Sequence, residues 1–584
     1  MPKRQVLKAG SRPPWVGLAA AVWVQICAGN GYNFPLYSCT LKSVLGFDQQ
    51  QVTILGVAND IGENMGLLAG IACNKFPIWV VLLVGVVACF LGYGSLWLAV
   101  TQPAVDMPYW VLWIALVVAA NSNAWFGTAV LVTNMRNFPL SRGTVSGILK
   151  GYVGISAAVY TVIYSLLLGQ SASKLLLFLT LGLPVICLAM MYFVRPCTPS
   201  GEDSSVHVHF VYTQAASVLL AVYLLTITII YDVVSLSDAL CYILVAIMVI
   251  FLISPLGIPV KMTLFPNNGK KSTPLAGSSG HLDQGEEYSN QSEPSVTQQL
   301  VQGEAYSTQT EPLVTPNPSA SDLGSLFDNG DVSDVETLLA EGEGAVKERR
   351  RPPRRGEDFT FREALIKADF WLLWFTYFLG VGPGVTVLNN LAQIGVAFGV
   401  DDTTILLCLF SFFNFVGRLG SGAISEHFVR SKTIPRTLWM TCTLILMILA
   451  FVMFALAFSG SLYISTCILG VCYGFQYALM VPTASELFGL KHFGIIYNFM
   501  VLGNPIGALL FSGLLAGYVY DLEAAKQGSS TCLGPDCFRL TFLVLAGVCG
   551  LGTIISVILT KRIRPVYKML YASGSFCLPQ ASHH

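Results

Sequence analysis

Residues 46–77 read GFDQQQVTILGVANDIGENMGLLAGIACNKFP, and this stretch predicts the architecture of the whole chain. Its run from Gln51 to Ala72 is long enough to form one membrane-spanning helix. Asp60 and Glu63 lie inside that run, three residues apart and therefore on one helical face. A charge at bilayer depth costs about 2.5 to 3.5 kcal/mol, so this face is expected to look into protein or water. The stretch predicts a polar path through a bundle of membrane helices.

The composition of the chain indicates a membrane protein. Of 584 residues, 54% are hydrophobic and 11% are charged, whereas soluble domains carry about 25% charged residues. The net charge is zero, so charge provides no argument for a nucleic-acid partner. Neither a G-x-x-x-x-G-K nucleotide motif nor a histidine cluster of the H-E-x-x-H type occurs. We therefore expect no enzymatic activity, no catalytic residue, no cofactor and no metal site.

Apolar runs predict fourteen spans in two groups of six, separated by two middle spans and a polar stretch. A count of twelve, without the middle spans, is the alternative. The predicted spans lie near 15–38, 51–72, 78–100, 109–133, 143–168, 174–194, 210–230, 239–258, 368–389, 403–425, 437–458, 461–482, 494–519 and 538–560.

These spans divide the chain into four regions. Residues 1–258 form an N-terminal half with the two extra spans, and residues 367–562 form a C-terminal half. Residues 259–366 are too polar to fold and are expected to be a disordered cytosolic loop, and 563–584 a cytosolic tail. Lysine and arginine concentrate in one set of loops, which predicts that both termini are cytosolic. Whether the membrane is the plasma membrane, an endomembrane or the vacuole stays open.

The two groups of six spans resemble each other. GLLAGIACNKF at 66–76 aligns with RLGSGAISEHF at 418–428, and RNFPLSRG at 136–143 aligns with ELFGLKHFG at 486–494 with one inserted residue. Both copies have the same predicted orientation. This predicts a parallel repeat about an axis along the membrane normal, as between the halves of major facilitator transporters.

Several motifs resemble one family of that superfamily. The segments VANDIGENMGLLAG, NFPLSRGTVSGILKGYVGIS, KADFWLLW and ASELFGLKHFGIIYN are similar to the plant nodulin-like family, which includes the nuclear-fusion-defective proteins. The resemblance implies an all-α membrane protein with the major facilitator fold. This chain departs from the family pattern in having Asn59 where a lysine is expected and Glu63 where a small residue is expected.

The resemblance also implies a gate motif after the second span of each half. The superfamily pattern G-x-x-x-D-R-x-G-R is degraded in both copies, which begin at Gly70 and Gly422. Arg142 and Arg418 are expected to act structurally in a closed gate, paired with acids such as Glu426 or Glu486. The gate candidates are Gly70, Asn74, Lys75, Arg142, Arg418, Gly422 and Glu426.

Residues inside the spans are candidates for proton coupling and solute binding. Asp60, more than Glu63, is the candidate proton carrier; the alternative is a buried structural acid. Lys150 either attracts an anion, pairs with Asp60, or extends to the membrane surface. In this fold the first and fourth spans of each half line the cavity, so the other candidates are Gln25, Asn30, Asn33, Asn121, Asn123, Tyr377, Asn389, Tyr473 and Gln476.

Together these features predict a secondary transporter of a small polar or anionic solute working by alternating access, with proton coupling as a second prediction. The alternative is a transporter-shaped receptor or scaffold that signals through the long loop. The expected partners are membrane lipids, the solute and protons, and the oligomeric state stays open. Cys532 and Cys537 lie in a polar loop on the predicted non-cytosolic side, where a disulfide and free thiols are both open.

Overall fold

The computed structural model describes residues 14–47, 49–102, 107–197, 204–233, 237–264, 353, 355–400, 404–458, 460–528 and 532–572. Regular secondary structure in these residues is helical. The basic N-terminal residues before 14, most of the predicted 259–366 loop and the tail beyond 572 lie outside the described residues.

The helices of the N-terminal half and the two middle spans are α1 to α10. Their bounds are α1 Pro14–Cys27, α2 Phe34–Leu45, α3 Gln49–Asn64, α4 Leu67–Lys75, α5 Ile78–Thr101, α6 Tyr109–Asn137, α7 Arg142–Leu167, α8 Ala172–Met191, α9 Ser204–Val233 and α10 Asp238–Leu264. Three of these (α7, α8 and α10) contain a short π or 3-10 segment.

The C-terminal half comprises α11 to α18. Their bounds are α11 Phe361–Ile366, α12 Ala368–Asn389, α13 Leu391–Ala397, α14 Thr404–Lys432, α15 Thr437–Leu456, α16 Ser461–Phe488, α17 Phe493–Lys526 and α18 Asp536–Leu570. Within the described residues, twelve helices are long and apolar enough to cross a membrane. The other two predicted spans are interrupted helices, α1 with α2 and α3 with α4. Every predicted span therefore corresponds to a helical segment.

The second span is not the single helix that the sequence predicts. It breaks at Met65 and Gly66, between α3 and α4. The side-chain amide of Asn121 donates to the carbonyl oxygens of Gly62 and Met65, at 3.0 and 2.9 Å, and so satisfies backbone groups at the break. Gly66 lies so close to Asn498 that a Cβ would meet its Oδ1 at 1.8 Å. The break thus lets the chain pass another helix at short range.

The two halves pack against each other through pairs that the repeat relates. The second span contacts the thirteenth through α4 and α17, and the fifth contacts the tenth through α7 and α14. Glycines make both contacts possible: a Cβ on Gly70 would lie 2.5 Å from the carbonyl oxygen of Gly494, and one on Gly422 would lie 2.6 Å from that of Gly143. Gly70 aligns with Gly422 in the repeat, and Gly143 aligns with Gly494. The glycines that the sequence repeat aligns therefore make equivalent contacts between the two halves.

The middle spans lie at the side of this bundle. The helix α9 packs on α7 of the N-terminal half and also contacts α14 of the C-terminal half, while α10 packs mainly on α9 and on the end of α7. The first of the extra spans thus touches both halves.

Two predicted boundaries are corrected. The last residues of the predicted loop are structured, because Gly356 and Phe359 donate backbone hydrogen bonds to Leu487 and Phe488 and α11 begins at a Thr360–Glu363 capping box. The last helix continues to Leu570, beyond the predicted end at 562.

Candidate functional site

A cavity of about 40 Å³ lies between the two halves. Its walls come from α1, α3, α6 and α7 on one side and from α14, α16 and α17 on the other. The charged and amide side chains that line it are Gln25, Glu63, Asn123, Lys150, Arg418 and Asn498. In this conformation the volume holds a few water molecules.

Two cations from opposite halves meet at this cavity. The Lys150 ammonium donates a hydrogen bond to the Tyr497 hydroxyl, and Arg418 Nη1 donates to the carbonyl oxygen of Lys150 at 3.2 Å. Both cations also lie over the Tyr477 ring, at 5.7 Å for Lys150 and 4.7 Å for Arg418. Among the described residues neither cation forms an ion pair within 4.0 Å. A solute that enters the cavity therefore meets two buried positive charges.

The two candidate acids occupy different positions. Glu63 lines the cavity and packs closely against Gly31. A Cβ added to Gly31 would lie only 3.0 Å from the Oε2 atom of Glu63. Asp60, one helical turn earlier, is half-buried, and the cavity-lining residues do not include it. Lys150 pairs with Tyr497 and not with Asp60, contrary to one of the sequence alternatives.

Gln25 is a neutral cavity residue whose hydrogen-bonding groups are unsatisfied. It is fully buried, and within the described part of the chain neither its Oε1 nor its Nε2 has a hydrogen-bond partner. A buried amide without partners is costly, so Gln25 has two N–H donors and an acceptor oxygen available for a bound molecule.

The remaining cavity candidates lie elsewhere. Asn30 bonds to Ser122 and Tyr93 inside the N-terminal half, and Gln476 donates to Met440 and Thr443 inside the C-terminal half. Asn389 is exposed at the end of α12. Asn33, Asn121, Tyr377 and Tyr473 also lie outside the cavity lining. Asn121 donates to a backbone carbonyl at the break after α3, and Asn33 and Tyr377 are buried. The Tyr473 hydroxyl lies 3.5 Å from the Asn504 amide oxygen.

Two lining residues, Tyr497 and Asn498, escaped the sequence prediction. They lie on α17, the thirteenth span, whereas the neutral cavity candidates predicted from the sequence lie on the first and fourth spans of each half. Asn498 bonds to Thr128 of the other half at 3.0 Å. The signal was present, since a tyrosine and an asparagine interrupt the apolar segment FGIIYNFMV.

One end of the bundle, which we call the basic end, holds Lys75, Arg136 and Arg430, where α4, α6 and α14 finish. The halves are joined there by arginines that donate to backbone carbonyls of the other half. Arg142 donates to Ser485 at 2.8 Å and Arg136 donates to Leu490 at 3.1 Å. Arg136 also donates to Asn74 at 3.1 Å, whereas Lys75 is exposed. The basic end is therefore closed.

A buried charge network supports this closure and corrects the predicted pairing. Glu426 and Glu486 are paired with Arg436, at 2.8 and 2.7 Å, whereas Arg418 forms no ion pair with either acid among the described residues. Burial opposes the charge of Arg436, but Glu486 and Glu426 outweigh it and raise its pKa well above the ordinary value. Glu426 also accepts from the backbone N–H of Gly143 in the other half at 3.1 Å. Arg418 belongs to the cavity, not to the gate.

The opposite end of the bundle carries a covalent link. Cys532, in the loop before α18, forms a disulfide with Cys537 in the first turn of α18. One of the two alternatives from the sequence is thereby present in the structure.

Two family models match most of this chain. The Nodulin-like model matches residues 14–260, and the model of the NFD4 C-terminal domain matches residues 357–569. Residues 14–260 therefore form the Nodulin-like part of the chain, and residues 357–569 form the NFD4 C-terminal domain. Its sequence is 29% identical over 572 residues to Protein NUCLEAR FUSION DEFECTIVE 4 of Arabidopsis thaliana, covering 95% of this chain and 90% of that protein.

More distant relatives and solved structures agree with the fold. A protein of Yarrowia lipolytica described as Probable transporter MCH1 is 26% identical over 203 residues, 32% of this nodulin-like chain and 41% of that protein. A structure of a double tryptophan mutant of XylE, which another structure describes as a major facilitator superfamily proton:xylose symporter, superposes with a TM-score of 0.52 at 11% identity. The superposition covers 95% of this chain and 98% of the XylE chain. The predicted major facilitator fold is confirmed.

Proposed function

We propose that this nodulin-like protein is a secondary transporter that moves a small anionic solute by alternating access. The observation that supports it is the central cavity, where Lys150 of one half and Arg418 of the other are buried and form no ion pair within 4.0 Å among the described residues. The similarity to a protein described as a probable transporter adds support over about a third of the chain.

The position of the cations links binding to movement. Two like charges held close together in a poorly hydrated site repel each other, and an anion between them removes that repulsion. Because the cations belong to different halves, the bound anion stabilises the arrangement in which both halves contact it. A ligand that binds one arrangement better shifts the population toward it.

The closed basic end corresponds to one state of the proposed alternating-access cycle. With the predicted orientation, closure at Arg136, Arg142 and Glu426 corresponds to a transporter shut toward the cytosol. Release into the cytosol then requires these contacts between the halves to break, and the glycine pairs to separate.

Proton coupling is the finer part of the proposal. Glu63 faces the same cavity as Lys150 and Arg418 and interacts electrostatically with both cations. A bound anion competes with the Glu63 carboxylate for these two cations, so binding favours a proton on Glu63. The solute and the proton would then move together.

Uptake by purified protein in proteoliposomes tests the transporter proposal. Small carboxylates and phosphate are compared with neutral solutes of similar size. Replacing Lys150 or Arg418 by glutamine should lower anion uptake by about tenfold to hundredfold, the effect of losing a charged hydrogen bond worth about 1.5 to 3 kcal/mol. Lys174→Gln, at an exposed position on α8, is the matched control and should leave uptake unchanged.

The rival function gives a different result in the same preparation. A receptor or scaffold would bind an anion at Lys150 and Arg418 without moving it across the membrane. Saturable binding with no flux in any gradient would therefore contradict transport and favour the receptor.

A further inference from the structure

A second pocket lies away from the central cavity, at the seam between the halves. It has a volume of about 120 Å³ and is walled by α7, α9 and α14. The residues that line it include Ala158 and Thr161 of α7, Ala221 and Thr228 of α9, and Leu407 and Phe412 of α14. Two walls thus come from opposite halves and the third from an extra span.

The pocket begins where the close packing of α7 and α14 ends. A Cβ on Gly147 would lie 3.0 Å from the Cα of Gly422, and one on Gly151 would meet the Phe415 ring at 3.3 Å. Beyond Gly154 the side chains of α7 and α14 no longer fill the space between the helices, and α9 covers it.

The lining is mostly apolar, and its two threonines use their hydroxyl groups within their own helices. Thr161 donates its hydroxyl to the carbonyl oxygen of Ala157, and Thr228 donates to Leu224, both within their own helices. These threonines therefore need no polar group from a ligand. The central cavity differs, since Gln25 there lacks partners.

The surroundings of the pocket identify the molecules that can reach it. All three helices are long and apolar enough to span a membrane. On α9, Leu219 and Val222 next to the pocket are 58% and 46% exposed, as lipid-facing residues are. At that depth the available small apolar groups are lipid acyl chains. The volume is close to that of a cavity of about 150 Å³ known to accept a benzene molecule, so it suits part of one chain.

The geometry points to a binding site for one phospholipid acyl chain between α7, α9 and α14. A chain held there contacts both halves, so its binding favours the present arrangement of α7 against α14. The site does not depend on the proposed transport activity, because its residues are separate from the central cavity.

Photolabelling of the full chain tests this site directly. The protein is placed in nanodiscs of phosphatidylcholine that carry a photoreactive diazirine in one acyl chain. After illumination, peptide mapping should find label concentrated in 155–161, 221–228 and 407–412. Label spread in proportion to exposure over all lipid-facing helices would overturn the proposal.

A pair of variants gives a second readout. Ala158→Phe fills the pocket and should lower labelling of the three segments by about tenfold, the change expected when roughly two methylenes lose their burial. Ala215→Phe adds the same side chain on the exposed side of α9 and should leave labelling unchanged. Equal labelling of the two variants would also overturn the site, and the mapping of the unaltered chain stands even if Ala158→Phe does not fold.

Discussion

Two cations and one carboxylate face the central cavity, and the positions of these single residues decide which chemistry it can support. Glu63 and Lys150 stand out in the sequence because charges inside a span are expensive. The same reasoning applies to Asp60, but Asp60 is not part of the cavity lining. A difference of three positions on one helix thus separates a residue that contacts the cavity from one that does not.

The residue-scale prediction concerns the proton. Glu63→Gln removes the titratable group from the cavity, so a pH gradient should no longer drive solute accumulation, while exchange of labelled for unlabelled solute continues. Accumulation in proteoliposomes with and without an imposed pH gradient measures this.

Two further variants make that result specific. Asp60→Asn should retain pH-driven accumulation, and Glu523→Gln, whose carboxylate pairs with exposed Lys526, is the matched control. If Glu63→Gln accumulates solute as well as the unaltered protein, Glu63 does not carry the proton. If Asp60→Asn loses accumulation instead, the earlier acid is the carrier.

Whole helices meet where glycines permit it, and this determines how the halves close. The helices α7 and α14 approach each other through Gly143, Gly147 and Gly422, and α4 approaches α17 through Gly70 and Gly494. A Cβ at Gly70 or Gly422 would overlap with the backbone of the other half, and one at Gly143 would overlap with the side chains of Arg436 and Glu426. At Gly147 and Gly494 a Cβ would make a tight contact of 3.0 Å with the other half. The contact is therefore available only to glycine and disappears when the helices separate.

The element-scale prediction uses Gly147→Leu. The added side chain overpacks the contact with Gly422 and destabilises the closed basic end by about 1 to 3 kcal/mol. Ser485→Cys, buried in this state, should then react about tenfold faster with a water-soluble maleimide.

The control for this experiment is Gly547→Leu on α18, because no atom lies within 4 Å of a Cβ there. Maleimide rates that are the same in both glycine variants would show that the α7–α14 contact does not close the basic end.

The whole molecule has two chemically different ends, one rich in arginine and one carrying the Cys532–Cys537 disulfide. The excess of lysine and arginine at the basic end predicts that this end faces the cytosol. The disulfide is consistent with this orientation, because the opposite compartment permits oxidation.

The whole-molecule prediction is one of sidedness. An N-glycosylation acceptor introduced after Gly528, in the loop before the disulfide, should be modified in cells. Asn290, which lies in a natural acceptor sequence outside the described residues, should stay unmodified. A mobility shift on removal of N-glycans measures both. A glycan on Asn290 would reverse the orientation and, with it, the assignment of the closed end to the cytosol.

The fold class, the spans and the repeat of this protein can be read from its amino-acid sequence. Span length and apolar content are local properties that the bilayer thickness dictates, so they are legible without a structure. The alignment of Gly70 with Gly422 and of Gly143 with Gly494 even identified the four residues of the symmetric contacts, although not that each meets a glycine of the other half.

Which polar residues lie together in the bundle becomes visible in the three-dimensional packing of the helices and not in the sequence. Arg418 lies near a gate motif in the chain, yet it bonds to Lys150, 268 residues away, and Arg436 takes the place expected for it beside Glu426 and Glu486. The break at Gly66 likewise depends on Asn498 of a distant helix. Such pairings follow from how tilted helices cross, and the side chain that a buried charge meets depends on that crossing rather than on its neighbours in sequence.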